Sequence, residues 1–139
     1  MHFTSGINRP PIANFLNCLG GKNYGLSHAQ KTAQLYDGIN ISMIEVSSLT
    51  LVPKTPLHYQ KLKGKFEEAG EIERLEEMQE FLRCLTNETT FLSDHVSMSF
   101  FVRAELPKQK FELIDGIKNI ISDVGEEKLR RHREMHLIM

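Results

Sequence analysis

The chain has 139 residues, 17 Lys/Arg against 18 Asp/Glu and a formal net charge of −1. That is enough chain for one domain with a real core, without the basic surplus that nucleic acid or an anionic membrane selects. The only two cysteines, Cys18 and Cys84, exclude a disulfide framework and any cysteine-rich metal or cluster motif within this sequence.

In chain order, residues 1–11 are polar and end in "RPP", which predicts an irregular lead-in; residues 12–139 then form the single domain. The opening "MHFTSGINRPPIA" lacks the charged start and apolar stretch of a signal peptide, and no apolar run approaches the roughly 20 residues of a membrane span. The sequence therefore reads as cytoplasmic, with reduced thiols and no membrane or nucleic-acid partner. "IANFLNCL", at 12–19, is apolar enough for a short buried strand, ended by Gly20 and Gly21. "LSHAQKTAQLYDGI" has helical spacing: Ser27 suits the N-cap, Ala29, Thr32, Ala33 and Tyr36 share a face, and Gly38 suits the C-terminal end. "ISMIEVSSLTLV", at 41–52, is rich in β-branched residues and bounded by Pro53.

Strand, helix and strand with short connections predict a βαβ unit whose strands run parallel. A third strand is signalled only weakly, by "TTFLS" at 89–93. The remainder reads as mainly helical. "EIERLEEMQEFLRCL" sets Ile72, Leu75, Met78, Leu82 and Leu85 on one stripe, with acidic residues near its start to favour the helix dipole. Pro107 suits the first turn of a further helix in which Phe111, Ile114, Ile117 and Ile121 form the buried side. The charged "EEKLRRHREMHLIM" either continues as helix or frays.

In parallel α/β architectures, ligands bind beyond the carboxyl ends of the strands. Gly20 and Gly21 follow the first strand and permit either a close backbone approach to a ligand or simply a tight turn. After the second strand, Pro53 and Pro56 stiffen the loop before a short "LHYQKLK" helix, either as a pocket wall or as a plain strand terminator.

The order "LGGK", a helix, "LTLVPKTPL", "GKFE", an acidic helix, "FLSDHVS" and "LPKQKFELID" is similar to the C-terminal part of one group of radical S-adenosylmethionine (SAM) proteins. In that group the matching words read like Gly-Leu-Gly-Gly, Leu-Thr-x-x-Pro-Gly-Thr-Pro-Leu, Ser-Asp-His-x-Ser-Asn and Leu-Pro-x-Asp-Lys, and the resemblance spans residues 15–121. Several short words in the right order are more specific than any one alone. The resemblance implies a fragment of a partial (β/α) barrel, a late βαβ unit, followed by a mainly helical extension. In the family, a Cys-x-x-x-Cys-x-x-Cys loop holds a [4Fe-4S] cluster that binds SAM and cleaves it to a 5′-deoxyadenosyl radical. This chain has no such triplet, so it is expected to be catalytically incomplete alone: a truncated reading frame or one chain of a split enzyme, with the missing half or another chain as partner.

What the resemblance carries over is limited to the late strands. Leu19, Gly20 and Gly21 fall where family members bring backbone close to the adenosyl part of SAM, and Ser47, Ser48 and Thr50 lie on the next strand. Alternation puts Ser48 and Thr50 on one face, Ser47 and Leu49 on the other. Cys18 and Lys54 replace family glycines, and the usual Asn after "SDHVS" is missing.

Three further constellations stand apart from that match. Asp94 and His95 form either an acid/base pair or a capped turn with a packed histidine. His132 and His136, four apart in "HREMH", would share a helix face and could bind zinc, although Arg133 stands where the metalloprotease word has Glu; a solvated basic helix end competes with that reading. Cys84 is expected to be a small core hydrophobe. Two rival functions follow: a non-catalytic α/β module docking through an exposed strand edge, and a zinc hydrolase built on His132 and His136.

Overall fold

The computed structural model describes residues 10–138; most of the expected lead-in lies outside the described residues. Four strands, β1 (Ile12–Asn17), β2 (Met43–Ser48), β3 (Thr89–Ser93) and β4 (Val102–Leu106), form one sheet in the order β1-β2-β3-β4. β1, β2 and β3 run parallel, and β4 returns antiparallel to β3. Five helices complete the described chain: α1 (Gly25–Tyr36), α2 (Pro56–Leu62), α3 (Glu71–Cys84), α4 (Lys110–Asp123) and α5 (Glu126–Ile138). The protein is thus α/β with a mixed sheet, as expected in class.

Alternation along the strands sets one face of the sheet into the core. Phe15, Ile44, Val46, Phe91, Ala104 and Leu106 are buried together with Ala29 and Ala33 of α1, Leu75, Met78, Phe81 and Leu82 of α3, and Ile117 of α4. The Phe15 and Phe81 rings stack with centroids 4.0 Å apart, which fixes α3 across β1. The residues between them on the strands, including Leu16, Met43, Glu45, Ser47 and Leu92, are only half-buried. They make up the face away from these helices. Parallel strands with an open face are unusual in a self-contained domain.

The two edges of the sheet differ. β1 carries no charged residue, and its first residue, Ile12, is exposed. Pro11 and Asn17 carbonyls accept from Ser42 and Leu49, so alternate residues 12, 14 and 16 turn their backbone groups to the free edge. There the Tyr36 hydroxyl caps the Asn14 carbonyl at 2.9 Å. On β4, Arg103 and Glu105 are exposed, and the Gln109 side chain takes the Glu105 N–H at 2.7 Å. Charge and capping of that kind block edge-to-edge pairing.

Several sequence expectations need correction. The region read as mainly helical contains β4, hidden in "VRAEL", whose exposed Arg103 and Glu105 alternate with inward Ala104 and Leu106 and so dilute the apolar signal of a strand. β2 stops at Ser48 rather than running on to Pro53. Helix α1 starts at Gly25 with Tyr24 as N-cap, so Ser27 lies inside the first turn. Helix α4 begins three residues after Pro107 and buries Leu113 and Ile117, while Phe111 is 71% exposed. Ile114, Ile117 and Ile121 do pack on the core, and packing against β4 and α3 brings in Leu113 where Phe111 was expected.

Helix α5 is folded despite its charge, and polar side chains anchor it. Glu126 accepts the N–H groups of Glu71 and Ile72 at 2.5 and 3.1 Å, supplying the cap that Gly70 lacks at the start of α3. Arg133 pairs with both oxygens of Glu71 at 2.8–3.1 Å, and Leu129 is buried beneath. Glu71 is 3% exposed, and removing Arg133 leaves its buried charge only the more distant Arg74 Nε, 3.8 Å away. Arg133→Ala is therefore expected to lower the unfolding free energy by about 3 kcal/mol in urea titration, the low end for breaking a buried ion pair.

Candidate functional site

The last residue of each parallel strand is polar and buried: Asn17, Ser48 and Ser93. None of the three hydrogen-bonding side chains is idle. Asn17 Nδ2 donates to the Arg74 carbonyl at 3.1 Å, and Ser93 Oγ donates to the Phe100 carbonyl at 2.8 Å. Ser48 Oγ accepts from Arg74 Nη1 at 2.6 Å. Arg74 itself is 3% exposed and also donates to the carbonyls of Leu49 and Ala69. This polar layer seals the carboxyl ends of the strands on their helical side and leaves the loops beyond it to face outward.

The loop after β1 is shaped by left-handed backbone at Cys18 (φ 68°) and Gly21 (φ 78°). The Cys18 N–H donates to Glu77 Oε2 at 3.0 Å, and His28 Nδ1 lies 2.9 Å from the same oxygen. Gly21 has no room for a side chain, because an added Cβ would strike the Glu67 carbonyl and come within 2.9 Å of the Phe66 ring. Lys22 N–H donates to that carbonyl at 2.8 Å. The glycine at 21 thus serves a close approach between two loops of the chain itself. Leu19 and Gly20 remain exposed, beside a cavity of about 300 Å³ lined by Lys22, Tyr24, Lys65 and Phe66 among others.

Of the residues singled out from sequence, Leu19, Gly20 and Gly21 lie together after β1, while Ser48 is turned to the buried helical side and engaged by Arg74. Ser47 faces the open side of the sheet. Thr50 Oγ1 is buried without a hydrogen-bond partner among the described residues. Asp94 and His95 are exposed in the loop after β3 and are not hydrogen-bonded to each other; His95 Nδ1 instead meets Ser97 Oγ at 2.7 Å. Ser97 also accepts the Ser48 N–H, so it ties the ends of β2 and β3 together. Sequence reasoning passed over Ser97, Arg74 and Glu77; a charged residue inside an apolar helical stripe was the available signal for the last two.

The thiols do not resemble cluster ligands. Burial, with the Glu77 carboxylate next, pushes the Cys18 thiol well above its ordinary value, which keeps it protonated and a poor metal ligand. Cys84, at the far end of α3, is also pushed up, by burial and then by Glu80. His132 is exposed, and His136 is taken up by the Met98 carbonyl at 3.2 Å and stacked on Phe101. Among the described residues, no group of three or more His, Cys, Asp or Glu side chains is gathered to hold a metal ion, and no helix is long and apolar enough to cross a membrane. Compared with known proteins, the chain matches no family model, no curated protein and no solved structure.

Two measurements probe the β1 loop. Gly21→Ala forces a left-handed alanine, costing about 1–3 kcal/mol before the Glu67 and Phe66 clash is added, and should show as a lowered urea midpoint. The Glu77 carboxyl is raised from its ordinary 4.5, chiefly by burial, while the Cys18 N–H and His28 pull it down. Between the ordinary and the raised value the folded chain keeps a proton that the unfolded chain has lost, so stability falls as pH rises through that window. Glu77→Gln removes the titration, and the slope of unfolding free energy against pH across that window should flatten.

Proposed function

We propose that this chain supplies the late strands of a radical SAM-type partial barrel and contributes no cluster ligands of its own. One observation carries the reading. The family words have glycine at the positions of Cys18 and Lys54, and these two non-glycine residues hold left-handed backbone, φ 68° and 69°. Left-handed backbone is what a glycine at those positions would serve, and among the described non-glycine residues only Asn23 shares it. The one-sided helical layer adds support: in a barrel the open face of β1, β2 and β3 would be the inner wall, and the free edge of β1 would meet an earlier strand.

The residues present do not fit a [4Fe-4S] cluster. Two cysteines cannot supply three thiolates, and Cys18 is 1% exposed with its thiol held protonated. This chain therefore holds no cluster at which SAM could be cleaved. Its contribution to a SAM site would come from the exposed backbone at Leu19 and Gly20; Ser48 would act only from behind, by holding Arg74.

A second reading, a non-catalytic module that docks by strand addition, is favoured by the β1 edge, which is uncharged although Tyr36 caps its Asn14 carbonyl, opposite the charged β4 edge. The two readings differ in what completes the sheet. The first expects a Cys-x-x-x-Cys-x-x-Cys segment either immediately upstream, in frame or across a frameshift, or on a separate chain that co-purifies with this one; with neither, the barrel reading fails. Anaerobic reconstitution with iron and sulfide should leave the chain without stoichiometric cluster, and a stoichiometric [4Fe-4S] signal would overturn the proposal.

A further inference from the structure

The loop after β3 carries hydrogen bonds that fix the position of a proton. Ser97 is 1% exposed, and its Oγ accepts the Ser48 N–H at 2.8 Å, which leaves its own O–H for His95 Nδ1 at 2.7 Å. The Ser97 N–H lies 3.1 Å from that same ring nitrogen. A backbone N–H can only donate, so Nδ1 accepts, and the neutral ring carries its proton on Nε2. His95 as a whole is exposed. With the Nδ1 edge held against a buried hydroxyl, the Nε2 edge is the one that turns outward.

We propose that Ser97 is a positioning residue that holds His95 as an outward Nε2–H donor at the carboxyl end of β3. A ring so held offers a hydrogen bond to an acceptor oxygen or nitrogen of a ligand, and in its neutral form it has no free lone pair at that edge with which to act as a base. Of the two roles open to His95 in an acid/base pair, the geometry selects the donor. The orienting partner is Ser97, two residues on, and not the neighbouring Asp94. Ser97 in turn is fixed by β2, so the state of His95 is tied to the end of the adjacent strand rather than to its own loop alone. The inference deepens the reading of the strand-end site, and it stands apart from the family question because its test reads the ring alone.

Two other histidines provide contrast in the same molecule. His136 Nδ1 faces the Met98 carbonyl at 3.2 Å and His28 Nδ1 faces the Glu77 carboxylate at 2.9 Å. A carbonyl only accepts, so neutral His136 is the Nδ1–H tautomer, and the same holds for His28 opposite an ionised carboxylate. Two-bond proton–nitrogen correlation spectra of the ¹⁵N-histidine-labelled chain above neutral pH separate the tautomers. The expected result is a single Nε2–H pattern for His95 beside Nδ1–H patterns for His136 and His28. Ser97→Thr, which keeps a hydroxyl and the backbone N–H, should retain the His95 pattern, and Ser97→Ala, which loses the 2.7 Å hydroxyl contact and keeps only the N–H at 3.1 Å, should shift part of the population to the other tautomer. An Nδ1–H or averaged His95 in the unsubstituted chain overturns the proposal, as does a folded Ser97→Ala with an unchanged pattern. Should Ser97→Ala not fold, the unsubstituted chain and Ser97→Thr decide between the same two outcomes.

Discussion

The Arg74 guanidinium is the contact on which the rest of the site depends. It is buried in α3 and donates to the end of β2 through Ser48 Oγ and the Leu49 carbonyl, and to the loop entering its own helix through the Ala69 carbonyl. Glu68 and Glu71 lie 3.8 Å away, close enough to balance its charge. A planar fork reaches the Ala69 carbonyl from Nε and the end of β2 from Nη1 at once, a spread of donors that the single ammonium of a lysine lacks. The register between α3 and the strand ends, and hence the positions of the outward loops, follows from that one side chain.

Much of the fold was legible because its signals are local. The α3 stripe, the βαβ order and the strand at 89–93 all rest on periodicity, and each is present. What escaped was decided by neighbours distant in sequence. Glu77 and Arg74 fall on the buried side of α3 because Cys18 and Ser48, far back in the chain, need their partners there. Within α3 the only sign of it is a charge set in an apolar stripe, which does not name the partner. The exposed Phe111 and the buried Leu113 likewise exchange roles only once β4 exists for α4 to lie against.

The site shows the same division. Gly20 and Gly21 were recognisable as a turn, but the use of Gly21 depends on Glu67 and Phe66, which approach from the loop before α3. Ser48 was singled out for its place on a strand, and its orientation followed from alternation only after β1 and β3 had fixed which face is covered. Adjacency in sequence pointed from His95 to Asp94, whereas the hydrogen bond skips to Ser97 because the turn that bonds Met98 N–H to the His95 carbonyl folds the chain back on itself.

The cap that Glu126 provides for α3 arrives 55 residues after the N–H group of Glu71 that it satisfies. During synthesis on a ribosome, α3 would emerge with its first turn uncapped and its Glu71 carboxylate without the Arg133 fork, and would remain so until α5 had been made. Closing so long a loop is slow compared with forming a helix. The start of α3 is therefore secured only after α5 has been made, and a nascent chain lacking α5 would have its sheet before the first turn of α3 was fixed.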